Sequence, residues 1–232
     1  MARFGIIKSD DKVFTGDKIR FDFRQSFVTP DEQLATPTSH EASFDGGLNW
    51  IDVTKDKFVD FIYSTAGTKT VQLRITTQTG NDIVSKTVTA LDLTAQKLFS
   101  NDSDLYQYEP EIDSLLPKKW SSWNMIHLEA QKFFIDWLDE KRIFNEQKEK
   151  YQVSDLLDRD QVRQFSIFKV LELIYSGENN VAGDLYQLKR DKYRELCNEK
   201  LAKSQISLDF NKNGVADLGE RTDLFSVELI RQ

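Results

Sequence analysis

The sequence is short of cysteine and histidine, has no long apolar run, and carries no excess of positive charge. Cys197 is the single cysteine in 232 residues, so no disulfide can form within the chain and no covalent staple holds the fold. That shortage suits assembly in a reducing cytoplasm. The histidines are His40 and His127, and neither belongs to a Gly-x-Ser-x-Gly, His-Glu-x-x-His, phosphate-loop or dinucleotide fingerprint. No stretch approaches the roughly 18–20 continuous apolar residues of a membrane span. The apolar start, with Phe4, Ile6 and Ile7, is too short for a signal peptide, so the protein is expected to be soluble, without membrane contact, and to stay where it is made. Lys and Arg number 31 against 38 Asp and Glu, a formal net charge of −7. That balance argues against a dedicated binder of nucleic acid or anionic membrane, which needs a basic surface.

What is present describes a globular chain. Hydrophobic residues make up 39% and aromatics 12%, enough for real cores, and the length allows one large or two small domains. The pattern changes near residue 95. Before it, Ile19–Phe23 alternates strictly, Phe58–Tyr63 is β-prone, and Thr70–Ile75 and Ile83–Val88 flank Gly80-Asn81-Asp82 as a hairpin. Asp45-Gly46-Gly47 marks a further turn, His40 falls in a loop, and Pro30 and Pro37 punctuate a longer loop. Short strands with frequent turns predict a β-sandwich over residues 1–95.

From Asn101 onward the period becomes helical. Pro110 and Pro117 break the segment Leu105–Trp120 into short turns. Ser121 or Ser122 is expected to cap a helix whose apolar stripe carries Trp123, Ile126, His127, Ala130, Phe134, Trp137 and Leu138. His127 on that stripe reads as a packed, hydrogen-bonded core residue. Asp158 with Gln161 predicts a second start of the capping-box type. The helix that follows, Val162 to Ile174, is apolar over most of its circumference and is expected at the centre of the core. Gly177, Asn179 and Asn180 stop it. A third helix, from about Ala182 to Ala202, is expected to turn Leu185, Leu188, Leu196 and Leu201 inward. The tryptophans read mostly as core, with Trp120 and Trp123 alternatively anchoring an interface.

The most chemically specific stretch is Asp209–Glu220. Read as a twelve-residue calcium loop, it places oxygen side chains of Asp209, Asn211, Asn213, Asp217 and Glu220 at positions 1, 3, 5, 9 and 12, the Val215 carbonyl at 7, and Gly214 at 6. A hard cation takes six to eight oxygens at about 2.3–2.6 Å, and the chain must turn sharply at the glycine to converge them. Two asparagines keep the ligand charge low, which implies modest affinity. A polar Asn-Gly turn without metal is the alternative. The flanks Gln205–Leu208 and Phe225–Ile230 alternate as strands do, so the loop is expected to close a β-hairpin rather than an EF-hand.

Two resemblances follow from these motifs. Residues Ser39 to Val88 resemble the PKD-type Ig-like module, on Phe44-Asp45-Gly46-Gly47-Leu48-Asn49-Trp50 and on Phe61 through Leu73. Residues from about 100 to 232 resemble the head-to-tail connector proteins of tailed phages, also called adaptor or head-completion proteins. That second likeness rests on Leu105-Tyr106-Gln107-Tyr108-Glu109-Pro110-Glu111-Ile112-Asp113-Ser114-Leu115-Leu116-Pro117, on Trp120-Ser121-Ser122-Trp123, on Ile126–Gln131, and on the terminal Asp-x-Asn-x-Asn-Gly loop. The large N-terminal β-domain departs from the compact adaptor pattern.

Together they imply an α+β chain of two domains: an Ig-like β-sandwich at 1–95 and a helical adaptor bundle at 96–232 ending in the hairpin. The connector resemblance implies a non-enzymatic virion protein of the phage neck, assembled in the host cytoplasm. It would form a homo-oligomeric ring of about twelve copies by heterologous contacts. Its partners would be the portal and the tail or neck proteins, with genomic DNA passing through. Any calcium at Asp209–Glu220 would be structural. The competing reading is a calcium-dependent adhesion or scaffolding module, and a third is an enzyme with an unfamiliar acid–base pair, which no grouping of carboxylates supports.

Overall fold

The computed structural model describes residues 3–28, 39–77, 79–141, 149–177, 184–203, 205–214 and 221–223. The loop with Pro30 and Pro37, the pair Asn179 and Asn180, and the expected strand Phe225–Ile230 lie outside them. The chain is α+β and forms two compact units, one of residues 1–96 with Pro117–Ser122, the other of 97–116 with 123–232.

The first unit is built from β1 (Arg3–Phe4), β2 (Lys12–Phe14), β3 (Lys18–Asp22), β4 (Phe27–Val28), β5 (Ser39–Ser43), β6 (Ile51–Asp52), β7 (Phe58–Ile62), β8 (Gly67–Thr77) and β9 (Gly80–Leu91), followed by the single turn α1 (Leu93–Gln96). A five-stranded sheet runs in the order β2-β9-β8-β5-β6, and β3 pairs with β7 in a second, two-stranded sheet. Strand β2 joins β9 in parallel while the other neighbours are antiparallel. Because strand side chains alternate between faces, Ile19 and Phe21 of β3 and Val71, Leu73 and Ile75 of β8 meet in one core with Phe23, Phe44 and Tyr63. Phe44 stacks on Phe61 with ring centroids 4.4 Å apart, and Phe61 meets Tyr63 edge-on.

Two expectations need correction here. The β8–β9 strands close at Thr77↔Gly80, and Asn81 and Asp82 already pair with Thr76 and Ile75. Long pairing outweighed the local turn preference of Gly-Asn-Asp. His40 is not in a loop. It sits in β5 opposite Ile75, 3% exposed. The Ser-His-Glu run lacks the β-branched composition by which strands are recognised, and only register places it.

The second unit carries α2 (Asp102–Leu105), a 3₁₀ turn at Ile112–Leu115, α3 (Asn124–Glu140), a 3₁₀ turn at Val153–Asp155, α4 (Asp160–Gly177), α5 (Leu185–Lys203), and β10 (Gln205–Ser207) paired with β11 (Arg221–Asp223). Helix α4 is buried around most of its circumference, from Val162 to Tyr175, and packs against both α3 and α5. Phe134 of α3 lies 5.4 Å from Phe165 of α4, ring to ring.

Helix starts differ from their sequence signatures. Neither Ser121 nor Ser122 caps α3. Ser121 Oγ accepts the Lys18 N–H at 2.8 Å and Ser122 Oγ donates to Asp17 at 2.7 Å. Both belong to the first unit, while the Trp123 N–H meets the Asp102 carboxylate at 3.3 Å. Asp158 does accept the Asp160 N–H at 3.0 Å, but Gln161 closes no box. Its side chain spans to β10, accepting from Ser207 N–H at 2.9 Å. On α5, Leu185 and Leu188 point outward, 64% and 61% exposed. The buried stripe is Tyr193, Cys197 and Leu201 at i, i+4, i+8, and at 3.6 residues per turn Leu188 lies on the far side of it.

Candidate functional site

Three gatherings of polar groups merit chemical reading, all in the second unit. The first is the calcium-type loop. Asp209 is 6% exposed, and its backbone N–H is tied to the Asp155 carbonyl at 2.8 Å. Its Oδ1 accepts the Asn213 N–H at 3.0 Å and its Oδ2 the Gly214 N–H at 2.8 Å. Asn211 Oδ1 also accepts from Asn213 N–H at 3.0 Å. The chain turns back through positive φ at Lys212 (59°) and Gly214 (77°), the second being the sharp turn that a glycine permits. The first half of the loop is thus wound around the Asp209 carboxylate, which the Asn213 and Gly214 N–H groups meet. These bonds are those by which a polar Asx-type turn holds itself. Val215, Asp217 and Glu220 lie outside the described residues, and among the described residues no three His, Cys, Asp or Glu side chains gather as a metal cluster.

The second is a buried chain of hydroxyls and an imidazole. His127 Nδ1 lies 2.8 Å from Ser100 Oγ, which lies 2.7 Å from Ser166 Oγ. Its Nε2 is 3.2 Å from Asp102 Oδ1, close but without hydrogen-bond geometry. Serine, histidine and aspartate in sequence of contact have the composition of a nucleophilic triad. Burial decides against that role. Ser100 is 3% exposed and His127 and Ser166 are 0%, so no substrate carbonyl can reach either hydroxyl. The network pins α3 and α4 to the segment before α2.

The third lies where the Leu105–Pro117 block meets α5. Glu109 accepts from Lys189 Nζ at 2.6 Å and from Tyr193 Oη at 2.6 Å. Lys189 also reaches Tyr175 Oη at 3.1 Å. Burial works against ionising Glu109, but these donors outweigh it and hold its carboxyl below the usual range. Lys189 is raised for the complementary reason, the Glu109 bond prevailing over its own burial. Tyr193 is raised, by burial first and the carboxylate second. Above this cluster opens a groove of about 370 Å³ walled by Pro110, Ile112, Leu115, Leu185 and Tyr186. Sequence reading missed it, because it had turned Leu185 inward.

Other singled-out residues are structural in placement. Trp123 is 3% exposed, and Trp120 Nε1 donates to Asp10 at 2.9 Å within the first unit, so neither stands free as an anchor. Cys197 is 2% exposed, and burial pushes its thiol up to about 12. No described helix is long and apolar enough to cross a membrane.

No family model matches the chain, and no curated protein matches it. Solved structures similar to part of it include a chain from work on the promiscuous specificity of carbohydrate-binding modules of the β-sandwich superfamily, at 17% identity and a TM-score of 0.34 over 40% of this chain and 35% of that one. The PKD1 domain of Vibrio anguillarum Epp matches at 15% identity and TM-score 0.31, over 40% of this chain and 96% of the domain. The PKD1 domain of the Vibrio cholerae metalloprotease PrtV matches at 16% and 0.30, over 39% and 98%. The match thus spans about a third of the carbohydrate-binding chain and nearly the whole of each PKD1 domain.

Proposed function

We propose that this chain is a structural, non-enzymatic virion protein of a tailed-phage neck. It forms a homo-oligomeric ring, of about twelve copies by resemblance, that joins portal to tail proteins and lets genomic DNA pass. The observation that carries the reading is the integration of Leu105–Leu116, the block without its terminal Pro117, into the helical unit. Glu109 is clamped by Lys189 and Tyr193 of α5, and Tyr108 meets Phe168 of α4 edge-on at 5.1 Å. The acidic lead-in, the aromatic helix and the helical hairpin therefore belong to one folded body, in the order the connector resemblance requires. The net charge of −7 suits a conduit, since an excess of carboxylates does not hold passing phosphates. In this reading the N-terminal unit is a PKD-type Ig-like module added to the adaptor, and any calcium at Asp209, Asn211, Asn213, Val215, Asp217 and Glu220 is structural. The place of action is the virion, after assembly in the host cytoplasm.

Native mass spectrometry and negative-stain imaging of the purified chain, alone and with portal rings encoded by the same virus, test it. Closed rings that cap the portal are expected. A chain that stays monomeric at every concentration and leaves the portal bare sinks the reading. The winding of the loop around Asp209 favours the second reading, a calcium-dependent adhesion or scaffolding module. That reading requires chelation to abolish binding to a glycan or protein surface, while leaving portal binding absent throughout.

A further inference from the structure

We propose that the open edge of β9, from Asn81 to Thr87, pairs antiparallel with the same edge of a second copy of this chain. The inference goes beyond the reading above. A two-fold patch joins two copies and then stops, so it is separate from the heterologous contacts that close a ring.

The register shows which edge is open. β2 covers β9 only from Thr89 to Leu91. There the Thr89 N–H donates to the Asp11 carbonyl and the Leu91 carbonyl accepts from the Thr15 N–H, both at 2.9 Å, so these groups point away from β8. Successive residues of a strand send their backbone groups to opposite sides, and β9 follows β8 without a bulge from Gly80 to Ala90. Asn81, Ile83, Ser85 and Thr87 therefore direct their N–H and C=O groups to the β2 side. All four residues are exposed, and no strand among the described residues pairs with them there. Neither a proline nor a bulge blunts this row of donors and acceptors, and such a row is a template for a further strand.

Charge selects both the occupant and the register. Asp82 and Lys86 are the charged residues of β9. In an antiparallel pair centred on Val84 of both copies, Asp82 of each copy faces Lys86 of the other. Centring the pair on Asp82 or on Lys86 instead would set like charges directly opposite, which is destabilising. The strand is thus its own electrostatic complement in one register. Lys86 already holds the Ser9 carbonyl at 2.7 Å and the Asp11 carboxylate at 3.0 Å. Asp11 is 82% exposed, so that pair is weakly held, and an ammonium has a third N–H to offer. On the outward face Ile83, 51% exposed, would lie opposite Ser85 and diagonal to its own counterpart, within reach of a long side chain.

Sedimentation velocity on the full-length protein across a concentration series tests the pairing. Ser85→Pro removes an outward N–H, places a ring where the second strand would lie and leaves the bonds to β8 in place. It should associate at least about tenfold more weakly than the unmodified chain, with an unchanged circular dichroism spectrum. Register is read by oxidative cross-linking, which decides the matter even if that variant fails to fold. Copies carrying Ile83→Cys are mixed with copies carrying Ser85→Cys. Residues 83 and 85 oppose each other in the proposed register, with Cα atoms about 5.5 Å apart, inside the reach of a disulfide. Each variant alone sets its cysteines on a diagonal of about 7–8 Å, too far to bridge. Cys197 is 2% exposed and stays out of the reaction. A covalent dimer is therefore expected from the mixture and from neither variant alone. Cross-linking within either variant alone, or none in the mixture, overturns the pairing. So does a folded Ser85→Pro that associates like the unmodified chain. A monomeric unmodified chain overturns it too and leaves the edge to an extended segment of another protein. Rings on the portal without the cross-link would sink this inference and keep the ring, and a cross-linked dimer that never caps a portal would do the reverse.

Discussion

The two units solve the problem of an interior differently. Inside the β unit the core is almost wholly apolar: Phe21, Phe23, Phe44, Val71, Leu73 and Ile75, with His40 and small hydroxyls as the buried polar exceptions. The helical unit buries Ser100, Asp104, His127, Gln131, Ser166, Lys169 and Glu172 among its aromatics. Apolar alternation defines a sheet face with little need of individual partners. A polar interior is stable only if each group finds a specific partner, so the helical unit depends on pairwise geometry where the β unit depends on pattern. Lys169 shows the difference. Its ammonium sits 3.0 Å from Glu172 and 3.7 Å above the Phe133 ring, and Glu172 is also held by Arg194 at 3.0 Å.

The comparison is first tested where both units ought to behave alike. Phe21→Ala in the β unit and Phe134→Ala in the helical unit each empty a site that is 0% exposed. Each should cost about 3–5 kcal/mol of its unit's stability, read by urea unfolding. The NMR methyl signals of Val71 and Leu73, buried in the sheet core, report on the β unit. The labelling rate of Cys197, buried with its thiol raised to about 12, reports opening of the helical unit. A cost under about 1 kcal/mol at either phenylalanine would mean that the unit's core is looser than its burial indicates.

The units should part company when charges are removed. Glu172→Ala leaves Lys169 buried without its carboxylate, and breaking a buried pair costs about 3–5 kcal/mol. Asp60→Ala removes the fork to Arg20 in the β unit, where both side chains are 32% exposed, and should cost at most about 1 kcal/mol. Equal effects would erase the distinction drawn above. A smaller loss is expected from Ser166→Ala, which strips one hydroxyl from the Ser100–His127 chain, at about 1–3 kcal/mol.

Legibility followed the same division. The strands Ile19–Phe23 and Thr70–Ile75 were readable because alternation is a sequence property, as was the burial of α4, apolar on nearly every face. β5 was not, since Ser-His-Glu acquires its strand character only from pairing with β8. The phase of α5 was misread because leucines were taken to outrank a tyrosine. Tyr193 turns inward since its hydroxyl finds Glu109, a partner eighty-four positions away. For the same reason Gln161 spends its amide on Ser207 rather than on a capping box, and Ser122 its hydroxyl on Asp17. Of the loop, the turn at Gly214 was legible, because an Asn-Gly pair favours positive φ at the glycine. Local chemistry can be read from a sequence, but a polar group's distant partner cannot.

The finest test of the contrast is pH, applied to the β unit's few committed polar groups. Burial, with Lys57 nearby, lowers the His40 pKa below its ordinary 6.5. The unfolded chain therefore binds a proton more readily, so His40 gives stability that is full above about pH 6.5 and is lost as pH falls toward its lower folded value. At the surface, Asp45 accepts from the Asn49 and Leu48 N–H groups, the Asn49 amide and the Ser43 hydroxyl. Led by Asn49, these bonds lower its pKa to about 2. Its contribution is present above the ordinary aspartate value of 3.8 and disappears as pH falls through about 2. Urea midpoints of the β unit, followed by the methyl signals of Val71 and Leu73 against pH, should then show two separate declines. His40→Gln should flatten the upper one alone and Asp45→Asn the lower one alone. If His40→Gln leaves the upper decline intact, the buried imidazole is not its source. A decline that both substitutions change would mean that the two groups titrate through a shared element, the strand β5 and the turn that follows it.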